Sequence, residues 1–479
     1  MKALFISGYG DWGKKFCLIG ETLLKDKILS EYMIYTHGLE GFLSVKNNEF
    51  NYKKHFNFEN IYKSFLEEES FPSAEFYETK YGSLYKMALS DRHLLQFTHD
   101  LPFGDLKNLD FITNYTTYLI SRFEKIIIDN KTEVVITSVV ANISTLIISK
   151  VCEKLEIPFF NIASTRFPDR FVAYKGHFQR EVIEISQIED QHIHSAKKLV
   201  NSFILGKSKP SWVGSAPVLK KLTFKNITSF FKRINPYNLY RKTFLLEDFH
   251  DPLLGIPPIS SRIKIFLLKN KRKNFYNSIK FINDISDLDY YYYPLHVDPE
   301  ASTSVLAPEW IDQLDIIKKI RINMPLHKQL LIKEHPAMIG YRDESFYKRI
   351  SRIPGVSFVK TDIDSLKLIA SASLTVTITG TSAFEASLIK KNSFQFGITY
   401  FSDLPGIHCF NGDIETLNEQ FKLAEDNDEF DDNSLIHKLA FNFANSMDLD
   451  YLSGWRGDKN EDNLVSNYSN FLKKVIRKI

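Results

Sequence analysis

"TVTITGTSAFEA", residues 375–386, is the stretch whose reading decides the fold. Its β-branched run, ending at Thr379, reads as a buried strand. Gly380 turns the chain, and either Thr381 or Ser382 can cap the helix that follows. The product is a strand, a tight polar turn and a helix. Such a turn presents backbone N–H groups and the positive end of a helix dipole, an arrangement that suits a phosphate. Glu385 falls on the first turn of the helix, where a carboxylate can accept hydrogen bonds from a diol such as ribose. A purely structural reading stands beside this one: the hydroxyls are caps, and Glu385 closes a capping box with Ser382.

The surrounding sequence repeats the unit. "DYYYYPL", "KQLLIKEHP", "GVSFVK", "SLTVTIT" and "NSFQFG" read as five strands, separated by helices in "APEWIDQLDIIKKIRINM", "DESFYKRISR", "DIDSLKLIASA" and "TSAFEASLIKK". Alternation with short loops predicts a doubly wound parallel sheet over residues 285–440, with ligands at the C-terminal ends of its strands. That edge collects the chemistry. His296, Asp298, Glu300, Ser302 and Thr303 follow the first strand. Lys333, Glu334, His335 and Pro336 follow the second, and the Thr379–Ser382 turn follows the fourth. Thr379, Gly380, Thr381 and Ser382 offer neutral donors to a departing phosphate, which needs no metal if enough donors are fixed in place. Lys333 and His335 add charge-assisted contacts, about twice as strong as neutral ones. Pro336 restricts the backbone of His335. The competing role for that imidazole is to close its own loop on a backbone group.

Residues 1–194 also alternate strands ("KALFIS", "YMIYTH", "EVVITS", "PFFNIAS") with helices, predicting a first Rossmann-like domain. Its polar turns are sparser. "SGYGDWG" brings Asp11 to a glycine turn, as a base or as a solvated turn residue; the spacing does not match G-x-G-x-x-G. "NIASTRFPDR" places Arg166, Asp169 and Arg170 beyond a strand. Two arginines suit the carboxylate of an acidic sugar and would hold Asp169 ionised, either for catalysis or as a structural pair. Asp169, Glu300 and Asp11 are thus the candidate catalytic carboxylates, with Ser302, Thr303, Arg166 and Arg170 as substrate-binding candidates.

Residues 195–284 show no clear strand and are basic ("KKLTFKNITSFFKRINPYNLYRKTF", "RIKIFLLKNKRKNFYNSIK"). They read as a helical insert that either rests on an anionic membrane surface or packs on the body by its apolar side. The C-terminal helices, 441–479, either cover the second domain or cross back to the first.

With 479 residues the chain exceeds one core, and its 44% apolar and 25% charged content is ordinary for a soluble globular protein. A net charge of +3 gives no global field for nucleic acid. Cys17, Cys152 and Cys409 are odd in number and scattered, so neither a disulfide framework nor a zinc site is expected, which fits a reducing cytoplasm. There is no Walker A motif. No apolar run reaches the roughly 18 residues of a membrane span, and the opening "MKALFISGYGDWG" reads as a strand and turn rather than a signal peptide. Location in the cytoplasm, with peripheral contact at the inner membrane face, is the expectation.

"YYYYPLHVDPEASTS", "LLIKEHP" and "SLTVTITGTSAFEA…FQFGITYF", with "NIASTRFPDRFV" in the first domain, resemble the capsule polysaccharide biosynthesis family of bacterial glycosyltransferases, over about residues 130–180 and 285–410. The best-understood members resemble Kdo transferases acting on capsule or lipopolysaccharide chains. The pairing of "HP" with "TGTS…E" is shared loosely with sialyltransferases and teichoic-acid polymerases that use cytidine-linked donors. The resemblance implies a glycosyltransferase-B architecture: an α/β chain of two Rossmann-like domains facing a cleft, with a nucleotide-sugar donor in the C-terminal one and a glycan or glycolipid acceptor across from it. It implies donor phosphate at His335 and Thr379–Ser382, nucleotide ribose at Glu385, and CMP-Kdo as one donor. No cofactor or metal is expected beyond the nucleotide-sugar co-substrate. A nucleotide-sugar epimerase or hydrolase on the same scaffold, and a non-catalytic capsule assembly or export component, are the rival functions.

Overall fold

The computed structural model describes residues 1–7, 12–91, 109–167, 170–206, 259–448 and 461–479. In the N-terminal half the short apolar runs become β1 (Lys2–Ser7), β2 (Glu31–Thr36), β3 (His55–Asn57), β4 (Val134–Thr137), β5 (Phe159–Ser164) and β6 (Arg170–Lys175). β1 and β4 are buried at nearly every position, so they read as continuous apolar runs rather than alternating ones, as strands covered on both faces do. The C-terminal half supplies β7 (Phe281–Ile282), β8 (Tyr290–Pro294), β9 (Gln329–Lys333), β10 (Val356–Val359), β11 (Leu374–Thr377), β12 (Ser393–Gln395) and β13 (Ile407–Cys409), and β14 (Ser446–Asp448) follows.

Two seven-stranded sheets result, in the orders β14-β6-β5-β4-β1-β2-β3 and β13-β12-β11-β8-β9-β10-β7. In both, the strands run out in one direction from a central strand, then resume on its other side. β3-β2-β1-β4-β5 and β10-β9-β8-β11-β12 are therefore the same Rossmann order, and the α/β expectation of two such domains holds. Every pairing in the second sheet is parallel. The first ends in antiparallel β6 and β14.

The tyrosine run shows how the pleat builds the core. Tyr291 and Tyr293 enter one buried cluster with Ile317, Ile332 and Phe394, while Tyr290 and Tyr292 enter another on the opposite face with Leu331, Leu368 and Ile369. Burying each such ring contributes about 1.5–3 kcal/mol. Equivalent clusters cover both faces of the first sheet.

Three expected boundaries shift. The helix Asp190–Ile204 runs through the 194/195 division, and β7 falls inside the supposed insert yet extends the second sheet. The helix Asp432–Ala444 straddles 440/441 and packs on Asp190–Ile204. Beyond it the chain crosses back to the first domain: β14 pairs with β6, and the helix Glu461–Ile476 lays Tyr468, Leu472 and Val475 against Phe16 and Trp12. An exposed flank of the first sheet requires that cover, and local pattern does not say which sheet a terminal helix will choose. Residues 207–258, most of the basic insert, lie outside the described residues. No described helix is long and apolar enough to cross a membrane.

The domains touch on either side of a cleft. Phe167 of the first packs on Phe384 and Phe443, and the Arg166 backbone N–H donates to the Tyr400 hydroxyl at 2.7 Å. On the other side Val305 and Leu306 enter the first domain's core, and Lys86 pairs with Glu309.

Candidate active site

In a doubly wound sheet the crevice opens where strand order reverses. In the second domain that point lies between β8 and β11, and in the first between β1 and β4. The two crevices face each other across a cavity of about 730 Å³, within the roughly 300–1,000 Å³ usual for small-molecule sites. Its walls include Ser138–Ala141 after β4, Ala163, Ser164 and Arg166 around the end of β5, His296, Val297 and Glu300–Ser302 after β8, Lys333–Ala337 after β9, Thr361–Asp364 after β10, and Thr379–Ser382 with Glu385 after β11.

The turn after β11 is cross-tied to the loop after β8. Thr379 Oγ1 donates to the Ser302 carbonyl at 2.7 Å, and Gly380 N–H donates to Thr377 Oγ1 at 3.1 Å. His296 Nε2 accepts from the Ile378 N–H at 3.3 Å and lies 3.0 Å from Thr377 Oγ1. Burial pushes the His296 pKa down to about 3, with the neighbouring cations adding to the effect, so this ring is a neutral strut. Gly380 itself is the N-cap of the helix Thr381–Leu388, with no side-chain capping bond. Neither Thr381 nor Ser382 is the cap: Thr381 is the first helical residue, and Ser382 Oγ is buried without a partner. The capping box of the structural reading does not form. A Cβ on Gly380 would sit inside contact distance of Thr377 Oγ1 and 3.2 Å from His296 Cε1, so the residue is glycine because the turn is packed, not because its φ is positive.

Glu385 is 5% exposed. Burial raises its carboxyl pKa to about 7; the Thr381 hydroxyl opposes the rise, Asp364 adds to it, and Lys333 and Arg166 oppose it. It therefore acts as donor or acceptor near neutral pH. His335 caps the one-turn helix Pro336–Met338, its Nδ1 accepting from Ala337 N–H at 3.2 Å. That is the loop-closing role, and it has a chemical consequence. With Nδ1 occupied as acceptor, the neutral ring carries its proton on Nε2, and His335 lines the cavity. Burial holds its pKa below the usual value, against the pull of the Glu300 and Glu334 carboxylates.

Lys333 lines the cavity while its ammonium bonds the Ile363 carbonyl and Ser365 Oγ, the latter at 2.9 Å. Glu300 accepts from Ser302 Oγ at 2.7 Å, and both line the cavity with Pro336, Thr379 and Thr381. Thr303 faces inward instead: it is 1% exposed and its hydroxyl donates to the Glu300 carbonyl, because the short helix Ala301–Ser304 turns it into the core. The two arginines separate. Arg166 reaches the cavity with Nε buried and unpartnered, its guanidinium 6.0 Å from the Phe401 ring centre. Arg170, on β6, turns away to Asp448 at 3.6 Å and to the Phe443 ring. Asp11 and Asp169 lie outside the described residues. Sequence reasoning gave no role to Arg342, Thr377 or Tyr400, whose contributions depend on partners far along the chain.

Two Rossmann-like domains that close a nucleotide-sized cleft, with a polar rim on one side, define the class. Residues 289–427 match the family model described as "Capsule polysaccharide biosynthesis protein", so the C-terminal domain carries that family's pattern and the resemblance read from the sequence is borne out there. Among solved structures, the chain is similar to the Thermosulfurimonas dismutans KpsC β-Kdo 2,7 transferase (12% identity, 74% of this chain and 89% of that chain covered, TM-score 0.31). It is also similar to the UDP-GlcNAc 2-epimerase from Methanocaldococcus jannaschii (13% identity, 92% and 98% covered, TM-score 0.26). The S. aureus MnaA–UDP co-structure covers 100% of this chain and 97% of its own at 12% identity and TM-score 0.26. Scores at this level say nothing of individual residues, and the layout above rests on the chain's own strand order. No curated protein matches the chain.

Proposed function

We propose that the protein is a metal-independent glycosyltransferase of the glycosyltransferase-B type. It moves a sugar from a nucleotide-sugar donor, with CMP-Kdo the first to test, to a hydroxyl of a growing capsule or lipopolysaccharide glycan. One observation carries the reading: loops from four strands of the second sheet and Arg166 from the first domain converge on one cavity. The donor phosphate lies against the Thr379–Ser382 turn, with His335 offering Nε2–H and Arg166 closing from the other domain. These fixed groups meet the charge that grows on the leaving phosphate. Glu385 takes the ribose diol. Glu300, held by Ser302 on the loop tied to the Thr379–Ser382 turn, takes the acceptor proton.

The insert supplies the membrane contact in this reading. Its helix Ile259–Asn277 leaves Phe266 and Leu267 exposed beside Lys269, Lys271, Arg272 and Lys273, the pairing of apolar and basic groups that suits anionic lipid. Sedimentation with vesicles containing phosphatidylglycerol, but not with phosphatidylcholine alone, is the expected result.

The deciding experiment is a thermal-shift screen with CMP, CDP, UDP and GDP, since a ligand bound only by the native state stabilises it by mass action. A shift with one of them is expected, followed by sugar transfer that requires a glycan acceptor. Turnover of the donor without acceptor would assign the cleft to an epimerase or hydrolase. No shift with any nucleotide would point to a glycan-binding assembly or export component.

A further inference from the structure

We infer that Arg342 is a positioning residue that holds the two principal loops of the cleft in register; its effect on binding rests on the nucleotide-sugar reading above. Arg342 is 5% exposed and is not among the residues that line the cavity. Its guanidinium is divided among three places. Nε donates to Glu334 Oε2 at 3.0 Å, Nη2 donates to the His296 carbonyl, and Nη1 lies 3.7 Å from Asp298 Oδ2. Glu334 passes the constraint on: its Oε1 accepts the backbone N–H of His335 at 2.8 Å, and its Oε2 also accepts the Tyr347 hydroxyl at 2.8 Å. Gln313 clasps His296 from the other side, accepting its N–H at 2.7 Å.

β8 and β9 are adjacent parallel strands whose ladder ends at Pro294 and Lys333. One further backbone bond, from Leu295 N–H to the Lys333 carbonyl at 2.9 Å, closes the ladder, and beyond it side chains tie one loop to the other. The loop after β8 carries Glu300 and Ser302, and the loop after β9 carries His335. A planar fork with five donors spans the gap, and a lysine, with one rotatable ammonium, cannot make the same three contacts at once. The distance between His335 and Glu300 in the working site is thus set by a residue that touches neither substrate nor reacting atoms.

Removing the arginine alone would strand the buried Glu334 charge and risk misfolding. Two variants avoid this: Arg342→Lys, which keeps the charge, and the double Arg342→Met with Glu334→Gln, which removes both charges and keeps the volume. Titration calorimetry with CMP, CDP and UDP is expected to give roughly ten- to hundredfold weaker binding in both variants for whichever nucleotide the parent binds. Hydrogen–deuterium exchange of the unliganded proteins is expected to quicken in segments 295–302 and 333–340 and to stay unchanged across the first sheet. Parental exchange in those two segments, or parental nucleotide affinity with both segments loosened, overturns the proposal. If the parent binds no nucleotide, the nucleotide-sugar reading falls by itself, and exchange alone decides whether Arg342 clamps the loops.

Discussion

The two sheets share a strand order but furnish their facing edges differently. Along the second sheet's edge several polar groups are tied down: Thr379 to Ser302, Gly380 to Thr377, His335 to Ala337, Glu334 to Arg342. At the first sheet's switch point the described wall is small and largely apolar, with Ser138, Val139, Val140 and Ala141, and Arg166 comes from the neighbouring loop. In the reading proposed above, the second sheet's edge holds the anionic leaving group, and the described part of the other shapes the space across from it.

The strongest blow to that contrast falls on the packed turn. Gly380→Ala forces a methyl against Thr377 and His296; overpacking of this kind costs about 1–3 kcal/mol, and the displaced turn should lose the nucleotide thermal shift altogether. Survival of the shift would mean the anion is held elsewhere. Arg166→Ala comes next. A hydrogen bond to a charged partner contributes about 1.5–3 kcal/mol, or roughly 10- to 150-fold in affinity, and calorimetry should show a loss of that size. No loss would leave the first domain as wall only, which sharpens the contrast at the cost of Arg166's role. His335→Ala removes one neutral donor and should weaken nucleotide binding by about two- to tenfold; because Nδ1 also caps the Pro336–Met338 turn, the empty protein should lose about 0.5–2 kcal/mol of stability as well.

The last test concerns pH. Glu385 keeps its proton to about pH 7 in the native state against an ordinary value of 4.5, so the folded protein binds more protons than the unfolded chain between those values. Stability from this group is complete below about 4.5 and falls as pH rises through 7. Glu385→Gln should therefore raise the melting point of the empty protein at pH 8 and leave it nearly unchanged at pH 4.5. A variant that melts lower at both would mark the carboxylate as structural rather than as a buried group kept for a ligand.

Much of the second domain was legible because its signals are local. The five strands and four helices fall where the alternation places them, and His296, Glu300, Ser302, Lys333, His335 and Thr379–Ser382 at the strand ends line one cavity. Thr303 was misplaced because helix phase, not proximity in sequence, decides which way a side chain faces. Arg170 was misplaced for a similar reason: antiparallel β6 was not foreseen, and residues on it are divided between faces by the pleat.

By itself, then, the sequence determined the repeated βα unit and hence the edge at which ligands gather, since hydrophobic period and turn chemistry act over a few residues. Tertiary structure alone decided which sheet the final helix would cover, which arginine would face the cleft, and that Arg342 would bond a carbonyl 46 positions away. Those choices depend on which surfaces and lone pairs remain unsatisfied once the sheets have formed, and no local pattern records them.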